Sequence, residues 1–111
     1  MNNSINKEND QFLSTIKSTI GKDIMETNVF FNDFQIIVPS KKIFDVLTKL
    51  HSNSYFAFDQ LIDVTAIDYP EKPTRFEVVY LLLSTITNQR LTVKICVNEG
   101  ELVQSCVSIF K

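Results

Sequence analysis

At 111 residues, with 44 % hydrophobic and 22 % charged side chains, the chain has the length and make-up of one soluble globular domain. A net charge of −2 with no basic run argues against a nucleic-acid-binding domain. The longest apolar run, 78–83, falls far short of the roughly 20 residues needed to cross a bilayer.

The polar, Asn-rich start has neither the apolar core of a signal peptide nor the arginines of a transit peptide, so a reducing compartment is expected. Cys96 and Cys106 match no metal-ligand spacing and are expected as free thiols.

Residues 1–8 are expected to be disordered or frayed, with a helix starting at Asn9 or Asp10, either of which can cap it. Leu13, Ile16 and Ile20 recur at helical spacing with Phe12 beside them. Gly21 is the stop, and Lys17 and Lys22 suit the negative end of the helix dipole. Residues 24–31 read as extended, Asn32-Asp33 as a turn, and 34–38 as a short strand ended by Pro39. Ser40 is placed to cap a second helix. In that helix Ile43, Val46, Leu47 and Leu50 fall at i, i+3, i+4 and i+7, with Phe44 alongside, and it ends near Ser52-Asn53.

Residues 61–67 are apolar on both faces apart from Asp63 and Thr65, which predicts a central strand. A proline-bounded loop, 70–74, leads to the organising stretch, 75–97. There Leu91, Val93, Ile95 and Val97 alternate with Arg90, Thr92, Lys94 and Cys96, the period of a strand with one buried face. The β-branched and aromatic run before it supplies the other arm of a hairpin. With Asn88 and Gln89 as the loop, Tyr80 faces Val97, Leu82 faces Ile95 and Ser84 faces Val93. Phe76, Val78, Tyr80 and Leu82 then point into the core, and Val79, Leu81 and Leu83 share the other face with the charged residues. A three-residue loop would invert the faces. Residues 98–101 form a turn, and 103–111 begin a further element. The pattern predicts one α+β domain over 1–111: a mostly antiparallel or mixed sheet of four to five strands with two helices packed on one face.

Candidates for chemistry are few. His51 stands near a helix end without a His or Cys partner in sequence and reads as a surface residue. No zinc spacing exists, two thiols are too few for an iron–sulfur cluster, and two glycines do not make a phosphate loop. Asp59, Asp63 and Asp68 surround one strand. Asp63 and Asp68 are five positions apart and point to opposite faces of a regular strand, which disfavours a working carboxylate pair. Arg75, Glu77, Arg90 and Lys94 form a charged stripe that serves either cross-strand ion pairs or docking.

Several blocks, Asp63-Val-Thr-Ala-Ile-Asp-Tyr-Pro70, Arg75-Phe-Glu-Val-Val-Tyr80, Leu82-Leu-Ser84, Asn88, Arg90-Leu-Thr-Val-Lys94 and Ser105, closely resemble the C subunit of the type I NADH:quinone oxidoreductase, respiratory complex I. This subunit is the counterpart of the mitochondrial thirty-kilodalton subunit. The likeness is strong over 58–111 and looser over 34–50. Two departures stand out. Position 81, usually polar and often histidine in the family, is Leu81. The family also continues into an acidic, Arg-containing signature absent from this chain, which implies an N-terminal portion of such a subunit.

The resemblance implies a non-redox structural subunit of the peripheral arm, with no catalytic residue, cofactor or metal ligand of its own. Its implied partners are the quinone-site subunit and the cluster-bearing neighbours. It would reach the membrane only through the complex, on the cytoplasmic or matrix side, with self-association as a further way of covering an apolar face. The candidate interface residues are Asp63, Asp68, Tyr69, Arg75, Glu77, Leu81, Arg90 and Lys94. Two other readings stay open: a homologous subunit of a membrane-bound hydrogenase or related dehydrogenase complex, and a small ligand-binding domain or enzyme using Asp63, Asp68 and His51.

Overall fold

A computed structural model describes residues 3–30, 33–55, 57–106 and 108–110. Helix α1 spans Asn3–Ile20 and α2 spans Ile43–Ser52. The strands are β1 (Glu26–Phe30), β2 (Asp33–Ile37), β3 (Gln60–Asp68), β4 (Phe76–Ser84) and β5 (Gln89–Val97). They form one sheet in the order β1-β2-β5-β4-β3, antiparallel except for the central β2–β5 pair. This is the α+β fold expected from the sequence, with a mixed sheet. The crossover from β2 through α2 to the far edge permits the parallel pair, since parallel strands cannot be joined by a tight turn.

The alternating residues of the sheet build one core with the helices. Phe34 and Ile36 of β2, Tyr80 and Leu82 of β4, and Leu91, Val93, Ile95 and Val97 of β5 are buried against the helices. From α1 come Phe12, Ile16 and Ile20, and from α2 Ile43, Val46, Leu47 and Leu50. Phe12 is the hub between layers, its ring centroid 4.4 Å from Phe34 and 6.4 Å from Phe58. Gly21, at φ +68°, ends α1 in the left-handed conformation that glycine adopts at least cost.

Four expectations need correction. First, α1 begins at Asn3, so Asn9 and Asp10, expected to open and cap the helix, lie inside it. Met1 and Asn2 lie outside the described residues, as do Phe31 of the expected extended stretch and Asn32 of the expected turn. Second, Ser40 makes no capping bond. It opens a single 3₁₀ turn, Ser40–Lys42, ahead of α2, and its hydroxyl donates to the Glu101 carboxylate instead.

Third, the hairpin register is shifted. Tyr80 sits opposite Val93 rather than Val97, and Leu82 opposite Leu91 rather than Ile95. The turn occupies 85–88, with Asn88 as its last residue at φ 57°. The Thr87 N–H donates to the buried Ser84 hydroxyl oxygen at 3.2 Å. The slip is even, from 97 to 93, so each side chain keeps its expected face. Fourth, β3 is an edge strand and not a central one. It is exposed along almost its whole length, with Ile62 and Val64 each 47 % accessible. Its apolar residues stay exposed because no described helix covers it.

Beyond β5, the turn at 98–101 closes with the Glu101 N–H donating to the Asn98 carbonyl at 3.0 Å. The described residues after it contain no helix or strand, although Val103, Ile109 and Phe110 pack against the core.

Candidate docking surface

Both helices pack on one side of the sheet, and among the described residues no helix covers the other side. Strand pairing carries a continuous set of side chains across that outer side: Asp63 and Thr65 of β3, Glu77, Val79, Leu81 and Leu83 of β4, and Arg90, Thr92, Lys94 and Cys96 of β5. Leu81 stands between Asp63 and Thr92. Val79, Leu81 and Leu83 are half-buried by these neighbours, without a layer above them. Five of the candidate interface residues therefore share this surface: Asp63, Glu77, Leu81, Arg90 and Lys94.

The charges on the outer side differ from the expected stripe. The Lys94 ammonium meets the Glu77 carboxylate at 3.1 Å, the most shielded ion pair of the described residues. A diagonal cross-strand pair of this kind contributes about 0.2–1 kcal/mol. Arg90, at the turn end of β5, makes no ion pair among the described residues and lines a polar cavity of about 360 Å³ with Asp33, Gln35, Leu81 and Thr92.

Arg75 lies elsewhere, at the opposite end of β4. Its guanidinium forks onto Asp68, with Nε to Oδ1 at 2.8 Å and a second bond to Oδ2 at 3.1 Å, and reaches Glu99 at 3.4 Å. The fork is the strong, planar form of such a pair. It holds the Asp68 carboxyl below its ordinary value and raises the guanidinium. Tyr69 completes this corner, its N–H donating to the Arg75 carbonyl at 2.7 Å while the Lys72 ammonium lies 4.0 Å above its ring. Asp68, Tyr69 and Arg75 thus form a second cluster that fastens the 69–75 loop. Asp63 and Asp68 lie on opposite faces, Asp63 opposite Leu81 and Asp68 opposite Phe76, so the two carboxylates do not converge. His51, near the C-terminal end of α2, packs edge-on against Phe110 at 5.3 Å.

Two carboxylates with structural work are absent from the candidates that the sequence suggests for an interface. Asp59 accepts from the Thr85 hydroxyl at 2.7 Å and the Thr85 N–H at 2.9 Å, tying the β4–β5 turn to the start of β3. Glu101 accepts from the Ser40 hydroxyl and from the Asn98 N–H at 3.0 Å, tying the chain after β5 to the start of α2. The Asp59–Thr85 and Ser40–Glu101 links join distant positions in sequence, so no local signal marks them.

The Thr85 hydroxyl, followed by the Thr85 N–H, holds the Asp59 carboxyl below its ordinary 3.8. A carboxylate lowered by folding stabilises fully above its unfolded value and loses that contribution as pH falls through the folded value. Asp59→Asn is therefore expected to lose less stability on acidification than the parent. Urea midpoints measured at about pH 5 and about pH 3 give the two slopes; equal slopes would show that the Thr85 contacts do not favour the charged form.

Among the described residues, no group of three or more His, Cys, Asp or Glu is placed to hold a metal ion, and no helix is long and apolar enough to cross a membrane. Cys96 and Cys106 are free thiols, the first exposed and the second buried.

A profile of the family described as respiratory-chain NADH dehydrogenase, 30 Kd subunit, matches residues 36–111. The chain belongs to this family. The match begins within β2 and includes the whole β3–β4–β5 meander that carries the outer surface. The chain is 38 % identical over 95 residues to the C subunit of the NADH-quinone oxidoreductase of Brucella abortus (strain 2308), covering 86 % of this chain and 47 % of that one. The C subunit from Brucella ovis matches with the same identity and coverage. The chain spans about half the length of the curated relatives it matches. Among solved structures, a chain of the membrane-bound sulfane sulfur reductase, an archaeal respiratory membrane complex, superposes with a TM-score of 0.67 at 24 % identity. That superposition covers 80 % of this chain and 49 % of the other, a likeness of fold. The thirty-kilodalton subunit family is thus joined to the two-helix, five-strand architecture described above.

Proposed function

We propose that this chain is a non-redox structural subunit in the peripheral arm of an NADH:quinone oxidoreductase. It supports electron transfer from NADH to quinone by packing on the quinone-site subunit and the cluster-bearing neighbours. The observation that carries the reading is the helix-free outer side of the sheet within the matched region. Its half-buried leucines and valine sit among Asp63, Arg90 and the Glu77–Lys94 pair, an apolar centre with a charged rim. A stiff sheet presents such a surface without the ordering cost of a loop. The chain's contribution in this reading is mechanical, and any attachment to the membrane runs through its partners, on the cytoplasmic or matrix side.

The test is capture of the tagged protein from detergent-solubilised membranes of its own source, with mass spectrometry of what accompanies it. The quinone-site and cluster-bearing subunits of the oxidoreductase are expected. Recovery of hydrogenase-type or sulfur-reductase subunits in their place would assign the chain to a related membrane complex. Leu81→Lys places a cation at the centre of the outer surface while removing a side chain that is only half-buried. It is expected to leave folding nearly intact and to deplete the captured partners at least tenfold, the equivalent of about 1.4 kcal/mol. Unfolding of the isolated Leu81→Lys protein would instead make residue 81 part of the core.

A further inference from the structure

β3 has β4 on one side and no strand on the other among the described residues. Half of its backbone N–H and C=O groups therefore point away from the sheet. It is nine residues long, whereas β1, at the opposite edge, has five. Edges are normally blunted by shortness, by Lys or Pro, or by a bulge. β3 holds no Lys, Arg or Pro, and its one irregularity falls near its start, between Leu61 and Asp63. From Asp63 to Asp68 its pairing with β4 is regular. Val64 stands 47 % exposed on the helix side of the sheet, and Ile67 36 % exposed on the outer side. A strand laid along this edge would complete the backbone ladder and shield apolar side chains on both faces at once.

Charge selects the occupant. β3 bears two carboxylates and no cation. Asp68 is matched by the Arg75 fork, whereas Asp63 receives only the Thr65 hydroxyl, at 3.1 Å, among the described residues. A second copy of β3 would bring the same two carboxylates and no cation, leaving Asp63 unmatched or facing a like charge. An extended segment with apolar residues at alternate positions and a Lys or Arg opposite Asp63 satisfies the ladder, the exposed apolar groups and the charge together. We propose that the free edge of β3 is a strand-addition site for such a cationic, alternating segment of a partner protein. This surface adds to the outer-side docking reading and does not depend on it, because its test contains no other subunit of any complex.

The probes are two synthetic nine-residue peptides of alternating Val and Thr, one with Lys and one with Glu at the centre. Amide hydrogen exchange of the full chain reports occupancy. With the Lys peptide at about ten times its Kd, the β3 amides not paired with β4 are expected to exchange roughly tenfold more slowly, while those of β1 do not change. The Glu peptide is expected to protect less, and Asp63→Lys to reverse the order of the two peptides. Asp63→Asn, which removes the charge without reversing it, is expected to abolish the preference and serves if the Lys variant does not fold. Absence of protection, equal protection by both peptides, or protection that grows with protein concentration when no peptide is present would each overturn the proposal, the last by making a second copy the occupant.

Discussion

Leu47→Ala is expected to lower the unfolding free energy by about 2–5 kcal/mol. Leu47 is fully buried on α2, between the helix and the sheet residues of the core. Its truncation removes the transfer energy of three buried carbons and leaves a space that a helix fixed at both ends cannot close. At the C-terminal end the Asn53 side-chain amide donates to the Thr19 hydroxyl of α1 at 3.2 Å, and at the N-terminal end the Ser40 hydroxyl of the 3₁₀ turn donates to the Glu101 carboxylate, so α2 has no simple inward slide to make. Urea unfolding checks the value, with Thr48→Ala on the exposed side of the same helix as the comparison. A loss below about 1 kcal/mol would mean that α2 does not pack on the sheet as described, since even partial collapse of the space leaves the transfer term.

Alkaline solution is expected to destabilise the protein through Tyr80. Burial, with a smaller contribution from the Cys106 thiol, pushes the Tyr80 phenol from 10.0 up to about 12. The residue is 4 % exposed. An acid raised by folding keeps its proton longer in the folded state than in the unfolded one. Its contribution is therefore unchanged below the unfolded value and falls as pH climbs from about 10 towards about 12, by about 2–3 kcal/mol in all. Lysines titrate in the same range, so the measurement is a difference. Stability at about pH 9 and about pH 11 is compared for the parent and for Tyr80→Phe, which has no ionisable proton. The Phe variant is expected to show the shallower decline. Equal declines would place the Tyr80 phenol in contact with water.

The faces of the hairpin were legible in the sequence because alternation is a local property, and the buried set on β5 is the one that alternation predicts. The pairing was not, because it depends on which residues make the turn. Asn88 signals a left-handed position, but the sequence does not say whether that position opens the loop or closes it. The answer lies partly in Asp59, whose carboxylate holds Thr85 from the segment just before β3. β3 shows the converse limit. Its apolar composition predicts a central strand, yet β3 pairs on one side only and stays exposed among the described residues.

The candidate docking residues divide for a similar reason. Glu77, Leu81, Arg90 and Lys94 follow from strand parity, and Asp63 joins them through pairing. Arg75 has the parity of the stripe but turns to Asp68 and Glu99 across the 69–75 loop, a geometry no periodicity encodes. The opposite facing of Asp63 and Asp68 was readable because the bulge falls before both of them. Ser40 is the last case: a good capping residue by type, it binds Glu101 far along the chain, and that long-range partner prevails over the local preference.

The parallel contact between β2 and β5 has a consequence for how the chain assembles. β1 with β2, and β3 with β4 and β5, are each antiparallel units that short connections can form independently. Only the central seam joins them, where Phe34 meets Leu91 and Ile36 meets Val93. Closing that seam draws together segments from opposite halves of the chain, and the entropy of so large a loop is lost before the core returns any stabilisation. The seam is thus expected to close late and cooperatively in folding. Substitutions along it should accelerate unfolding far more than they slow folding, whereas a change in the β4–β5 turn should act mainly on the forward rate.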